Sequence, residues 1–111
     1  KVSETDKLTY TVRVAIMRLS ALRLLVVLGQ YEAARLVAGE VATALARAAD
    51  LDPSLADERG RAGSYVEVLD RLIASQAFTS PFGEQADEAI RLEQDIQNQI
   101  NRLFTYLKRR G

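Results

Sequence analysis

The sequence contains no cysteine and no histidine. Disulfide and thiolate chemistry are therefore closed to it, and no imidazole is present to shuttle protons or hold a metal. Zinc sites and di-iron sites of the Glu-x-x-His type lack their ligand set. Tryptophan is also absent, and prolines number only 2 and glycines 6. Neither sign of charge is in excess: 15 basic residues balance 15 acidic ones. Phosphate backbones are bound by a net or clustered positive field, so nucleic acid is not expected as a partner. The longest apolar stretch, Val12 to Leu28, is interrupted by Arg13, Arg18, Ser20 and Arg23. A membrane-spanning helix wants about 20 apolar residues with few charges, so no span is expected. The chain begins at Lys1, as a piece of a longer protein would, and carries no secretory signal pattern. The lack of cysteine fits a cytoplasmic location, which is the expectation.

What is present is helix-forming. The 111 residues are 48% hydrophobic and 27% charged, outside the disordered range. The apolar content is Ala, Leu, Val and Ile rather than aromatics. A chain of this size buries roughly 65% of its extended surface, enough for one core. The expected fold is all-α: a three- to four-helix antiparallel bundle, a single domain over residues 1–111, with helices near 4–28, 30–50, 64–78 and 81–109.

The boundaries follow from capping chemistry. Ser3 with Asp6 resembles a capping box and opens the first helix. Leu8, Tyr10, Val12, Val14 and Ile16 also alternate as a strand would, but no second strand is available to pair with them. Gly29 is the natural stop, because glycine enters the left-handed C-cap conformation without strain. One long helix through Gly29 is the rival reading, at about 1 kcal/mol for a mid-helix glycine. In the second helix Tyr31, Ala34, Ala38, Val41, Leu45 and Ala48 form one Ala-rich seam. Asp52-Pro53 offers an N-cap followed by proline at N1, opening a short turn over 53–59. The run G-R-A-G at 60–63 weakens any helix crossing it. Ser64-x-x-Glu67 is a capping box that starts the third helix, with Val66, Leu69, Ile73 and Ala77 as its core face and Tyr65 and Leu72 beside it. Ser80 and Pro81 open the fourth helix. Its seam is Phe82, Ala86, Ala89, Glu93, Ile96, Ile100, Leu103 and Leu107, widened by Ile90 and Phe104. Acids gather in its first half and Arg102, Lys108, Arg109 and Arg110 at its end, as the helix dipole favours.

Gly29, Tyr31 and Ala34, followed by Ala48, Asp52 and Pro53, resemble the second half of a tetratricopeptide repeat, in which a Gly-x-Tyr-x-x-Ala turn opens the helix and Ala…Asp-Pro closes it. The resemblance covers about a quarter of the chain and implies a helical hairpin that binds peptide or protein. The helix between the two motifs is about seven residues longer than in that family, and no second repeat follows.

The charged residues yield a short list of candidates. Arg13, Arg18 and Arg23 are five apart, so successive side chains rotate by about 140° and form no single basic stripe. Glu93 interrupts an apolar seam, where a carboxylate is paired or protonated. An ion pair with an arginine of the first helix is the expected solution. The candidate buried polar set is Arg23, Glu93 and Arg102. Grouped together, they would line a ligand or enzyme pocket like that of a small helical mutase, a class that works without His or Cys. The arginine and lysine spacing of chorismate mutase is not found, and the only lysines are Lys1, Lys7 and Lys108. Lys108-Arg109-Arg110 reads as a dipole complement rather than an anion-binding tail. Phe78 and Phe82 read as a cap on the bundle end.

These observations favour a non-enzymatic protein-interaction module: an adaptor, chaperone or small regulatory subunit. It is expected to need no cofactor and no metal. The first helix is apolar on nearly all sides. Self-association into a homodimer is therefore expected, with Val12, Ile16, Leu19, Leu22, Val26 and Val27 as the candidate interface. A second protein is the other expected partner.

Overall fold

A computed structural model describes residues 3–76 and 84–110. Its helices are α1 (Glu4–Val27), α2 (Tyr31–Leu51), α3 (Ala56–Ser75) and α4 (Glu84–Arg110), with a single 3-10 turn, Pro53–Leu55, between α2 and α3. The structure is an all-α bundle with no strand among the described residues. The expected end of the third helix at 78, the Ser80–Pro81 start of the fourth, and Ala77, Phe78 and Phe82 lie outside the described residues.

The caps explain where α1 and α2 begin and end. Asp6 N–H donates to Ser3 Oγ at 3.1 Å, opening α1. At its other end Gly29 has φ of +73°. Gly29 N–H donates to the Val26 carbonyl at 3.0 Å and Gln30 N–H to the Leu25 carbonyl at 2.9 Å. This double closure needs a left-handed residue at position 29, so α1 and α2 are a hairpin rather than one rod. Asp52 closes α2, and its Oδ1 accepts from Ser54 N–H at 3.1 Å.

Neighbouring helices run antiparallel. Arg35 early in α2 pairs with Asp70 late in α3. Arg71 late in α3 meets Glu88 early in α4 at 3.5 Å. Arg13 and Met17, towards the start of α1, share a groove with Phe104 and Lys108 at the end of α4. Among the described residues α1 lies beside α2 and α4, and α3 beside α2 and α4, while the backbones of the diagonal pairs stay more than 8 Å apart. This is an up-down-up-down four-helix rod measuring 52 × 20 × 20 Å.

The core takes one stripe from each helix. Leu8, Val12, Ala15, Leu19, Leu22 and Val26 come from α1, and Ala34, Ala38, Val41, Leu45 and Ala48 from α2. Leu55, Ala62, Tyr65, Leu69 and Leu72 come from the 3-10 turn and α3, and Leu92, Ile96, Ile100 and Leu103 from α4. Each fully buried Leu contributes roughly 1.5–3 kcal/mol through removal of apolar surface from water.

Two expectations are corrected here. The third helix begins at Ala56 rather than Ser64 and runs unbroken through Gly60 and Gly63. Burial of Leu55, Ala62 and Tyr65 outweighs the helix penalty of two glycines, about 1 kcal/mol each. Ser64 is not a cap: its Oγ donates to the Arg61 carbonyl at 2.6 Å inside the helix. In α4, Ile90 and Phe104 do not widen the core stripe. They are 56% and 52% exposed.

A Cβ built on Gly60 or Gly63 meets nothing within 4 Å. Gly60→Ala and Gly63→Ala are each expected to raise stability in urea unfolding by about 0.5–1 kcal/mol. Gly29→Ala, forced into a left-handed conformation, should lower it by about 1 kcal/mol. Destabilisation by Gly63→Ala would contradict a continuous α3.

Candidate functional site

Each expected site residue now has a place. Arg23 Nη1 donates to Glu93 Oε1 at 2.6 Å, bridging α1 and α4 as expected. Both side chains are partly exposed, so the pair sits at the rim of the seam rather than inside it. Arg102 does not join them. It faces α3, where its Nε and Nη2 clasp the Glu58 carboxylate at 2.9 and 3.1 Å. Nine residues of α4 separate Glu93 from Arg102, about 13 Å along the axis. The pocket expected from Arg23, Glu93 and Arg102 together is not formed.

The interface expectation is corrected more sharply. Val12, Ile16, Leu19, Leu22 and Val26 are buried in the bundle's own core. They repeat every three or four residues on the side of α1 that meets α2 and α4, and are unavailable to a partner of the folded chain. Of the six, only Val27 is exposed, at 60%.

The opposite side of α1 carries large apolar residues that no other part of the described structure covers. Tyr10, Met17 and Leu24 recur every seven residues and are 70%, 71% and 56% exposed. Val27 and Leu28 continue the line to the helix end. Ile90 and Phe104 lie across the α1/α4 seam. Two open grooves of about 510 and 420 Å³ mark the ends of this face. One is lined by Arg13, Ile16, Met17, Phe104, Leu107 and Lys108. The other takes Val26, Val27, Leu28, Ala89, Ile90 and Glu93 among its walls. The heptad spacing of Tyr10, Met17 and Leu24 was legible in the sequence. It was hidden by the apolar character of the rest of the helix.

A second feature lies in the α3/α4 seam. Gln99 is fully buried, and its Nε2 donates to the Glu58 carbonyl at 2.9 Å and to Glu58 Oε1 at 3.0 Å. Its Oε1 is buried without a donor among the described residues. Tyr65 Oη, two turns of α3 beyond Glu58, donates to the Asp95 carbonyl at 3.2 Å, and burial pushes the phenol well above its ordinary range. The Glu58 carboxylate raises the Arg102 guanidinium further, chiefly through their hydrogen bonds. Glu58 continues the seam Leu55, Ala62, Tyr65, Leu69, and Gln99 the seam Leu92, Ile96, Leu103, so both are polar residues at core positions.

At the end of the rod Tyr106 Oη donates to Asp52 Oδ2 at 2.6 Å, and Arg110 lies 5.6 Å from the Tyr106 ring centroid. The Tyr106 hydrogen bond, aided by Ser54, holds the Asp52 carboxyl below its ordinary 3.8. Burial and the bond to Asp52 push the Tyr106 phenol up to about 12. These contacts fasten the α4 terminus to the α2–α3 turn.

No described helix is long and apolar enough to cross a membrane. No group of three or more acidic side chains that could hold a metal occurs among the described residues. No known family, curated protein or solved structure matches the chain. The likeness to a tetratricopeptide repeat thus remains a local one: a glycine turn, a tyrosine at the helix start and an Asp-Pro stop.

Two measurements test these contacts. In double-mutant cycles the Glu58/Arg102 pair, more enclosed and doubly hydrogen-bonded, should couple by about 1–3 kcal/mol. Arg23/Glu93, at the rim, should give about 0.5–1 kcal/mol. Because the folded Asp52 carboxyl titrates below its unfolded value, its stabilisation is present above about pH 4 and lost as pH falls through the folded value. Thermal melts of Asp52→Asn should therefore show a smaller loss of Tm below about pH 4 than the parent protein.

Proposed function

We propose that this chain is a non-enzymatic protein-interaction module whose working surface is the outer face of α1 and α4. The observation that carries the reading is the uncovered apolar line of Tyr10, Met17, Leu24, Val27 and Leu28 with Ile90 and Phe104 beside it. Monomeric soluble proteins rarely present contiguous apolar surface of this length, because its hydration is unfavourable until a partner covers it and releases the water. Two open grooves along the same seam accept protruding side chains, as a docking helix would present.

The polar residues support the same reading. Arg23 is closed on Glu93 and Arg102 on Glu58, so neither arginine–carboxylate pair leaves a convergent set of free groups to act on a substrate. An adaptor, chaperone or small regulatory subunit working in the cytoplasm needs only the surface. It requires no cofactor, metal or nucleic acid.

The test is a paired substitution on the face. Met17→Ser with Leu24→Ser should leave helical circular dichroism and Tm within a few degrees of the parent, because both residues are more than half exposed. Proteins that co-purify with the parent from its source cells should be lost with this variant. They should be retained with Leu36→Ser, which alters an equally exposed leucine on α2. Loss with both variants, or with neither, would remove the face from the function.

A further inference from the structure

We infer that the occupant of the α1/α4 face is a second copy of this chain, packed antiparallel about a two-fold axis that passes by Ser20 and Gln97. The inference rests on the reading of that face as an interaction surface and adds the partner and the register.

The face is self-complementary about its own midpoint. On α1 the outward residues over this length are Tyr10, Arg13, Met17, Ser20, Ala21, Leu24 and Val27. Ser20 lies midway between Arg13 and Val27, and Met17 and Leu24 flank it. On α4 the face runs Asp87, Ile90, Gln94, Gln97, Asn101, Phe104 and Lys108, with Ile90 and Phe104 equidistant from Gln97 and the exposed Gln94 and Asn101 on either side of it. Ser20, Gln94, Gln97 and Asn101 make the centre polar, and the apolar contacts lie in the arms. A two-fold axis lying in the interface and across the helices sets α1 on α1 and α4 on α4. Met17 then meets the second copy's Leu24, and Ile90 its Phe104, as isologous contacts require.

Charge selects this axis over the other one. The groove at one end is rimmed by Arg13 and Lys108. At the opposite end stands Asp87, one turn before Ile90, while Glu93 is already engaged by Arg23. Arg13, Lys108 and Asp87 have no ion-pair partner among the described residues. The transverse axis brings Lys108 over the second copy's Asp87. An axis along the helices would instead stack the Arg13–Lys108 end on itself, where like charges repel.

From Tyr10 to Leu28 the face is about 27 Å long, and the rod is 20 Å wide. That footprint, roughly 540 Å² in projection, places the dimer at the small end of interfaces that bury about 800 Å² of accessible surface per partner.

The absence of cysteine makes the register directly testable in the full chain. Light scattering at tens of micromolar should give twice the monomer mass. Under mild oxidation Ser20→Cys should form a disulfide-linked dimer, because that residue faces its own copy. Mixed Met17→Cys and Leu24→Cys should form the heterodisulfide, and Leu36→Cys should remain unlinked. Asp87→Lys and Lys108→Glu should each raise the dimer Kd about tenfold at low salt, and the double variant should restore it to within about threefold. A dimer in which Met17→Cys links to Phe104→Cys instead, with Ser20→Cys unreactive, would overturn the register. A monomer at this concentration whose partner capture still depends on Met17 and Leu24 would overturn the second copy as occupant while the interaction reading stands. A monomer whose capture ignores those residues would end both.

Discussion

Alanine along α2 sets how near its neighbours come. Ala34, Ala38, Ala44, Ala48 and Ala49 are buried on this one helix, between α1 on one side and α3 on the other. A methyl group in place of a longer chain lets two backbones approach, and close approach multiplies dispersion contacts over the length of the seam. Ala15 of α1 and Ala62 of α3 are also fully buried. Because α2 is held on two flanks, the positions of α1 and α3 follow from it. A larger side chain at any of these alanines would press two helices apart rather than fill a gap.

The fourth helix is attached on different terms. Towards α1 it offers Ile96, Ile100 and Leu103, an ordinary apolar seam. Towards α3, the pair of neighbours with the least contact, it offers Gln99 and Arg102 to Glu58 and the Asp95 carbonyl to Tyr65. A carboxylate at a seam position is tolerable only because three donors converge on it, and a Gln that spends both N–H groups there leaves its own oxygen orphaned. Such a cluster fixes the register of α4 on α3, since a shift by one turn would separate every pair. Tyr106 on Asp52 does the same at the rod's end. The apolar seams hold α4 in place and the polar contacts determine where along α3 it stops.

Once the bundle is closed, its outer surface is uneven. The side of α1 turned from the core keeps Tyr10, Met17, Leu24, Val27 and Leu28, and α4 adds Ile90 and Phe104 from across the seam. A four-helix bundle gives each helix two neighbours and an interior, so one face of each helix is left to solvent. On α2, α3 and the far side of α4 that face is chiefly charged, Leu36 of α2 excepted. On α1, from Tyr10 to Val27, it is mostly apolar, with Arg13 and Ser20 among its residues.

The sequence determined the fold class, the hairpin at Gly29 and the α2 seam, because these rest on local chemistry and on spacing within one helix. It also held the Arg23–Glu93 contact, since a carboxylate inside an apolar seam needs a cation and the arginines of α1 were the nearest supply. It did not reveal the start of α3. Two glycines outweigh local propensity when only neighbours in sequence are considered, and the burial of Leu55, Ala62 and Tyr65 that overrides them exists only against α2 and α4. Glu58 was missed for the same reason, as its seam position appears only when α3 is continuous. Tertiary structure decided that Met17, Leu24 and Val27 stay outside. Singly they are as apolar as Val12, Ile16, Leu19, Leu22 and Val26, but they share their face with Arg13 and Ser20, and α2 and α4 stand on the other side.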